Sequence, residues 1–245
     1  MAQHLDGTST SPRVAESGMD TAILPIGSTE QHGPHLPLST DSQIAAAVAR
    51  GVADRLGAFL LPTIEYGNSD VHAGYRGTVS IQPETLQSLV LDIGRELQAQ
   101  GFRRIIVLNT HGGNLILRIA VRELNRSGPA GYKVLLAQPT DLAAPTLRQI
   151  IGTLEREVHA GELETSLLLH LAPEQVGRER PDSDLEFGAD LYNYTLTRYA
   201  VAQGVWGVSS QATAKKGALA LEALIAATVA YAEHTFRQLA DLESR

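Results

Sequence analysis

The sequence predicts an α/β layered fold with a mostly parallel central sheet. Three observations carry that prediction. Short β-branched runs such as RIIVL at 104–108 are bounded by polar residues, as buried strands are. Longer stretches place apolar residues at helical spacing. The two kinds alternate along 245 residues, the pattern of strand–helix units stacked in layers. A chain that is 43% hydrophobic and 19% charged is globular, and this one is long enough to bury a sizeable core.

The first nineteen residues are polar and lack the apolar segment of a signal peptide, so 1–20 reads as a mobile or surface-draped arm. Residues 21–245 read as one domain. Residues 21–26 (TAILPI) form a strand, and the alanine-rich stretch 42–56 a helix. A short strand starts at 59–61, and 78–81 is a possible third. The helix from 83 to about 100 starts at Pro83, a residue suited to a first helical turn. The 104–108 strand follows, then a helix over 114–125 and a strand over 132–137. Residues 162–171 are helical, and 218–239 make a long C-terminal helix. The loop-rich stretch 173–213 is the expected place for a lid or a subunit contact.

Several function classes drop out on composition. A net charge of −7 opposes broad binding to nucleic acid or to an anionic membrane. No apolar run reaches the roughly 20 residues of a membrane span, so a soluble, cytoplasmic protein is expected. Cysteine is absent, which removes disulfides, thiolate nucleophiles and sulfur-ligated metals. Any metal must be held by His, Asp and Glu.

Ligands of such folds bind beyond the carboxyl ends of the strands, and three histidine-bearing segments fit that placement. STEQHGPHLPLSTD (28–41) follows TAILPI and supplies Glu30, His32, His35 and Asp41. NTHGGN (109–114) follows RIIVL and carries His111 beside two glycines. HAGELETS (159–166) puts His159 ahead of Glu162 and Glu164 at a helix start. Taken alone, each has a plain reading: a lone loop histidine is commonly a surface group, and helix-start carboxylates complement the macrodipole. The glycines of NTHGGN would also suit an anion-binding turn, but no GxGxxG or GxxxxGK[ST] pattern accompanies them. Convergence of all three in a chain with eight histidines favours a site for Zn²⁺ or Mn²⁺, with Fe²⁺ admissible. Glu30 and His32, two apart in an extended segment, point the same way, and Asp41 returns after a proline-rich turn where it can bridge two ions. Two ions about 4 Å apart would clamp a bridging hydroxide and polarise a carbonyl. No GxSxG elbow accompanies Ser28. His170, in LLLHL, reads as a core or interface histidine, and His4 and His234 need no functional role.

With GSTEQHGPHLPLSTD, SDVHAGYRGTVSI, NTHGGN, HAGELETS and GVWG…ATAKKG in order over about 21–220, the chain resembles the creatininase (creatinine amidohydrolase) family. The resemblance implies a three-layer α/β/α fold, usually a homohexamer, and a binuclear Zn²⁺ or Mn²⁺ centre that hydrolyses a C–N bond of a small cyclic or formyl amide. It makes Glu30, His32, Asp41 (bridging) and His111 ligands. Creatininase itself has a glutamate two residues after the histidine matching His111. Here that position is Gly113, and family members with an H-G-G-N block instead share the glutamate matching Glu164, so the resemblance gives Glu164 the role. His159 becomes the acid/base group, with Glu162 either a partner in catalysis or a solvated carboxylate. His72, Arg76 and Trp206 fall around the substrate. Creatininase proper uses several tryptophans there, and this chain has one, which disfavours creatinine. Arg76 replaces a usual proline and would bind an anionic substrate group or sit on the surface, and Val208-Ser209 replaces an Asp-Pro. Two alternatives to small-amide hydrolysis remain: a peptidase trimming a modified cofactor precursor, and a non-catalytic metal-binding module.

Overall fold

A computed structural model describes residues 5–183, 193–201 and 203–243. Four parallel strands form the central sheet in the order β2-β1-β3-β4: β1 (Thr21–Ile26), β2 (Phe59–Leu60), β3 (Arg104–Asn109) and β4 (Lys133–Ala137). In register, Ile23 pairs with Ile106 and Leu60, and Ile106 with Leu135. Strand side chains alternate faces, and the alternation sorts the core into two layers. Ile23, Ile106, Leu108 and Leu135 pack with α2 (Thr40–Leu56), α5 (Pro139–Ile150), α6 (Glu162–Leu171) and α8 (Ala214–Glu243), which follows a one-turn helix α7 (Thr197–Ala200). Leu24, Ile26, Ile105 and Val107 pack on the other face with α3 (Pro83–Ala99) and α4 (Leu117–Ser127). The expected three-layer α/β/α arrangement is therefore present. Each fully buried Leu or Ile contributes about 1.5–3 kcal/mol relative to exposure, and both sheet faces are lined with them.

Several elements differ from expectation. Residues 78–81 are extended but form no strand; Val79 N donates to Thr29 O (2.9 Å) and Ile81 N to Gly67 O (3.0 Å), tying the segment to loops instead. Helix α5 was not apparent, because Pro145 lies inside it. The N-terminal arm carries a short helix, α1 (Ser11–Glu16), and Leu5 is buried with its carbonyl accepting from Leu60 N (2.8 Å). It is pinned to the sheet edge. His4 lies outside the described residues. His170 and His234 are exposed, so His170 is not a core histidine. No helix among the described residues is long and apolar enough to cross a membrane.

Candidate metal centre

The carboxyl ends of β1 and β3 deliver the candidate ligands. Glu30 and His32 lie in the loop after β1, Asp41 in the first turn of α2, His111 just after β3, and Glu164 in the first turn of α6. A helix N-terminus favours a carboxylate, so Asp41 and Glu164 sit where the backbone helps hold negative charge. Glu30, His32 and Asp41 are 2% exposed or less, and His111 is 5% exposed. That is too deep for solvated charge and calls for mutual pairing.

Asp41 lies between two donor sets. Its Oδ2 is 3.1 Å from His111 Nδ1 and accepts from Ser28 Oγ (2.7 Å), while its Oδ1 is 3.4 Å from His32 Nε2. On one side Glu30 Oε2 is 3.4 Å from His111 Nε2, so Glu30, Asp41 and His111 converge. On the other His32 Nε2 is 3.8 Å from Glu164 Oε2, and His32, Glu164 and His159 converge. A third grouping joins Glu30, His72 and His159: His72 Nε2 and His159 Nδ1 are 3.4 and 3.7 Å from Glu30 Oε1. The His159 ring stacks between those of His32 and His72, each centroid 4.3 Å away.

These residues fit divalent ions. Glu30 Oε2 and His32 Nε2 are fully buried and make no hydrogen bond, a state that costs stability unless another partner takes the lone pairs. Imidazole and carboxylate donors with no thiolate suit Zn²⁺ or Mn²⁺. Charge tells the same story. Burial lowers the affinity of His32 and His111 for protons, but facing carboxylates outweigh it. Asp41 and Glu164 push His32 up to about 10, and Glu30 and Asp41 push His111 up to about 9. Burial raises Glu30, and it raises Glu164 to about 7. Asp41 is held well below its usual range: His32 and His111 overcome its burial. Without metal, protons occupy the positions that cations would take.

Local backbone holds the set in place. Asn109 and Asn114 of NTHGGN knit the β3 end to neighbouring loops: Asn109 Nδ2 donates to His111 O (2.8 Å), and Asn68 N donates to Asn114 Oδ1 (2.9 Å). His111 Nε2 donates to Asn68 O (2.9 Å). A Cβ at Gly113 would lie 2.5 Å from His111 Nε2 and closer still to Asn68 O. No side chain fits there unless the Asn68 carbonyl moves. Ala160, the second residue of HAGELETS, adopts φ +54, an uncommon conformation for a residue with a Cβ. Its N–H donates to Glu164 Oε2 (2.6 Å), fixing that carboxylate.

Three expected site residues lie elsewhere. Glu162 is fully buried, accepts from Thr153 N (3.1 Å) and Oγ1 (2.6 Å), and pairs with Lys216. It braces the start of α6 and does not face the cluster. Trp206 is 1% exposed and does not line the cavity; its backbone clamps His159, with His159 N donating to Trp206 O (3.0 Å) and Trp206 N to His159 O (2.8 Å). Arg76 is exposed and outside the cavity wall. His72 does line the cavity. His35 bonds Thr165 Oγ1 (2.9 Å) and is pushed down to about 4 by burial and by His32, so it is a neutral spacer behind the site. Sequence reading missed Gln31 and weighed Ser28 only as a nucleophile; their hydrogen bonds to His72 and to Asp41 reveal their place.

The centre opens into a cavity of about 1010 Å³. The loop-rich 173–213 stretch falls partly outside the described residues, but Asn193, Tyr194, Thr195 and Leu196 from it form one wall.

Comparison with known proteins places the chain in a family. The family model for creatininase (creatinine amidohydrolase) matches residues 7–232. A mycofactocin precursor peptide peptidase of Mycobacterium ulcerans is 38% identical over 226 residues, covering 86% of this chain and 83% of that protein. A creatinine amidohydrolase of Pseudomonas putida is 33% identical over 237 residues, covering 87% and 88%. Among solved structures, a mutant creatininase of Zn-Zn type superposes with TM-score 0.80 at 28% identity, covering 95% of this chain and 98% of that one. A manganese form of creatininase does so with TM-score 0.80 at 28% identity, covering 95% and 99%.

Proposed function

The chain belongs to the creatininase family of hydrolases, and on that premise we propose that it hydrolyses an amide C–N bond at a pair of divalent ions, zinc or manganese. Glu30, Asp41 and His111 would hold one ion; His32, Asp41 and Glu164 would hold the other. The observation that carries the reading is Asp41, which turns one carboxylate oxygen toward each donor set. Bound there, two ions supply a water of lowered pKa and polarise the substrate carbonyl.

The chain's own residues handle the proton. His159 is held neutral by burial and by the charge of His32. Its Nε2–H donates to Gln31 O (2.7 Å), which leaves Nδ1 bare on the side of Glu30. Nδ1 can therefore take a proton from the attacking water as its oxygen bonds to the carbonyl carbon. When the C–N bond breaks, the same proton passes to the departing nitrogen, giving a carboxylic acid and an amine. His72 orients Glu30, and Ser28 orients Asp41.

The first substrate reading is a small cyclic or formyl amide, in keeping with the creatinine amidohydrolase relative. A second reading, cleavage of a modified precursor peptide, is favoured by the cavity: about 1010 Å³ is the size of a site for a large ligand rather than one small ring. The 38% identity to a precursor peptide peptidase supports the same reading. We also propose a single hydrolase domain over 21–245, assembled as a homo-oligomer, a hexamer by family. One screen tests the reaction class and the substrate together: zinc- or manganese-loaded protein is offered formamides, lactams and linear peptides. Hydrolysis of any of them that is lost on chelation supports the proposal. Full activity after exhaustive chelation defeats it.

A further inference from the structure

We infer that Gln31 is the positioning residue that sets the proton positions of both His72 and His159, and so decides which histidine donates to Glu30 and which accepts protons. The inference deepens the proposed function and rests on it for its catalytic consequence, though not for its geometry.

Gln31 sits between the two proposed ligands Glu30 and His32, buried, with its side chain turned away from the ions' place. The orientation of its amide is fixed from two sides. Gly33 N donates to Oε1 (3.0 Å), and Nε2 donates to Gly204 O (3.1 Å). A flipped amide would face donor to donor and acceptor to acceptor, so the assignment follows from the partners. The second N–H of the amide then points at His72 Nδ1, 2.9 Å away. His72 Nδ1 must accept, which puts the His72 proton on Nε2, aimed at Glu30 Oε1.

The backbone carbonyl of the same residue takes the other decision. Gln31 O accepts from His159 Nε2 at 2.7 Å, so the His159 proton is on Nε2 and Nδ1 carries a lone pair. The 3.0 Å approach of Gln31 Nε2 to His159 Nε2 is then a contact between two donors, neither bonding the other. Both histidines are Nε2–H tautomers, yet they turn opposite chemistry to Glu30: His72 a donor, His159 an acceptor. Glu30 Oε1 is satisfied by His72, and Oε2 stays open.

The fold leaves Gln31 little alternative. Gly204 has φ +72, and a Cβ there would overlap Gln31 Oε1. Gln31 N donates to Thr78 Oγ1 (3.0 Å), so the extended 78–81 segment holds the backbone from the other side. One residue thus links the loop after β1, Gly204 and both histidines.

Selective ¹⁵N labelling of histidine tests this directly, using long-range ¹H–¹⁵N correlations to read tautomers in the full-length zinc-loaded protein. Wild type should show His72 and His159 as Nε2–H tautomers. In Gln31→Glu an oxygen replaces the donor, and His72 should move its proton to Nδ1. Zinc content should be unchanged and thermal unfolding still cooperative. Turnover of the amide identified in the substrate screen should fall about 10-fold in kcat, because Glu30 loses its His72 donor while His159 keeps its proton on Nε2, with KM within about 3-fold. A wild-type His72 protonated on Nδ1, or a His159 protonated on Nδ1, overturns the inference even if no variant folds. So does Gln31→Glu with wild-type tautomers and wild-type kcat. Wild-type protein that shows these tautomers but binds no metal would instead count against the proposed function.

Discussion

Gly113→Ala is the sharpest perturbation of the site that removes no ligand. The backbone at 113 is not in the left-handed region, so alanine meets no conformational penalty and its effect is steric. Its Cβ would sit 2.5 Å from His111 Nε2, about 0.9 Å inside the 3.4 Å where ordinary contact begins, and it would press on the Asn68 carbonyl as well. The tighter contact is 2.2 Å to Asn68 O, a backbone atom that also accepts from His111 Nε2, so relieving the clash moves the Asn68 loop and the imidazole together. Overpacking of this kind costs about 1–3 kcal/mol. The greater loss is in metal binding, because ligand distances tolerate only about ±0.2 Å. A displacement of His111 of about 1 Å should weaken the Glu30–Asp41–His111 ion by at least 10-fold, the low end of what outer-shell changes produce. Competition titration with a chromophoric chelator, alongside urea unfolding of the apo protein, measures both. Zinc affinity and apo stability unchanged within error would refute the packing argument. Gly113→Glu should be worse than alanine, since a longer side chain starts from the same clash.

Two further outcomes follow from the charges. In the apo protein His32 (about 10) and His111 (about 9) lie above the 6.5 of a free histidine, so their contribution to apo stability is complete below pH 6.5 and is lost as pH rises through 9 to 10. Each ion must expel one of these protons, so apparent affinity should rise by up to about 10-fold per pH unit for each ion between pH 7 and 9. Calorimetry in buffers of different ionisation heat checks this, and a pH-independent affinity contradicts it. Glu162→Gln should lower stability by about 1–3 kcal/mol by leaving Lys216 unpaired, yet keep full metal content. Loss of metal in that variant, read by elemental analysis, would place Glu162 in the centre after all.

The fold was largely legible because its strands are β-branched runs with polar borders, and residues 104–108 differ from β3 by one residue. Helix α5 was not, because Pro145 hides a helix whose stability comes from packing Ala143 and Leu147 against α8. That these segments converge was legible because few residue types hold metal and they cluster at strand ends. Side-chain direction was less so. Glu162 and Glu164 are two apart on one helix, about 200° around its axis, so only one can face the cavity, and the sequence does not say which. Trp206 drew attention as an aromatic but acts through its backbone. Gln31 gave no signal in the sequence, because its place is written entirely in hydrogen bonds.

The most direct test of the account is the metal content of purified protein, measured by elemental analysis for wild type and for Asp41→Ala. Asp41 touches both donor sets, so the account predicts about two zinc or manganese ions per chain in wild type and near-complete loss of both in the variant. Asp41→Ala that retains both ions, or wild-type protein that takes up none when zinc and manganese are supplied, would contradict it.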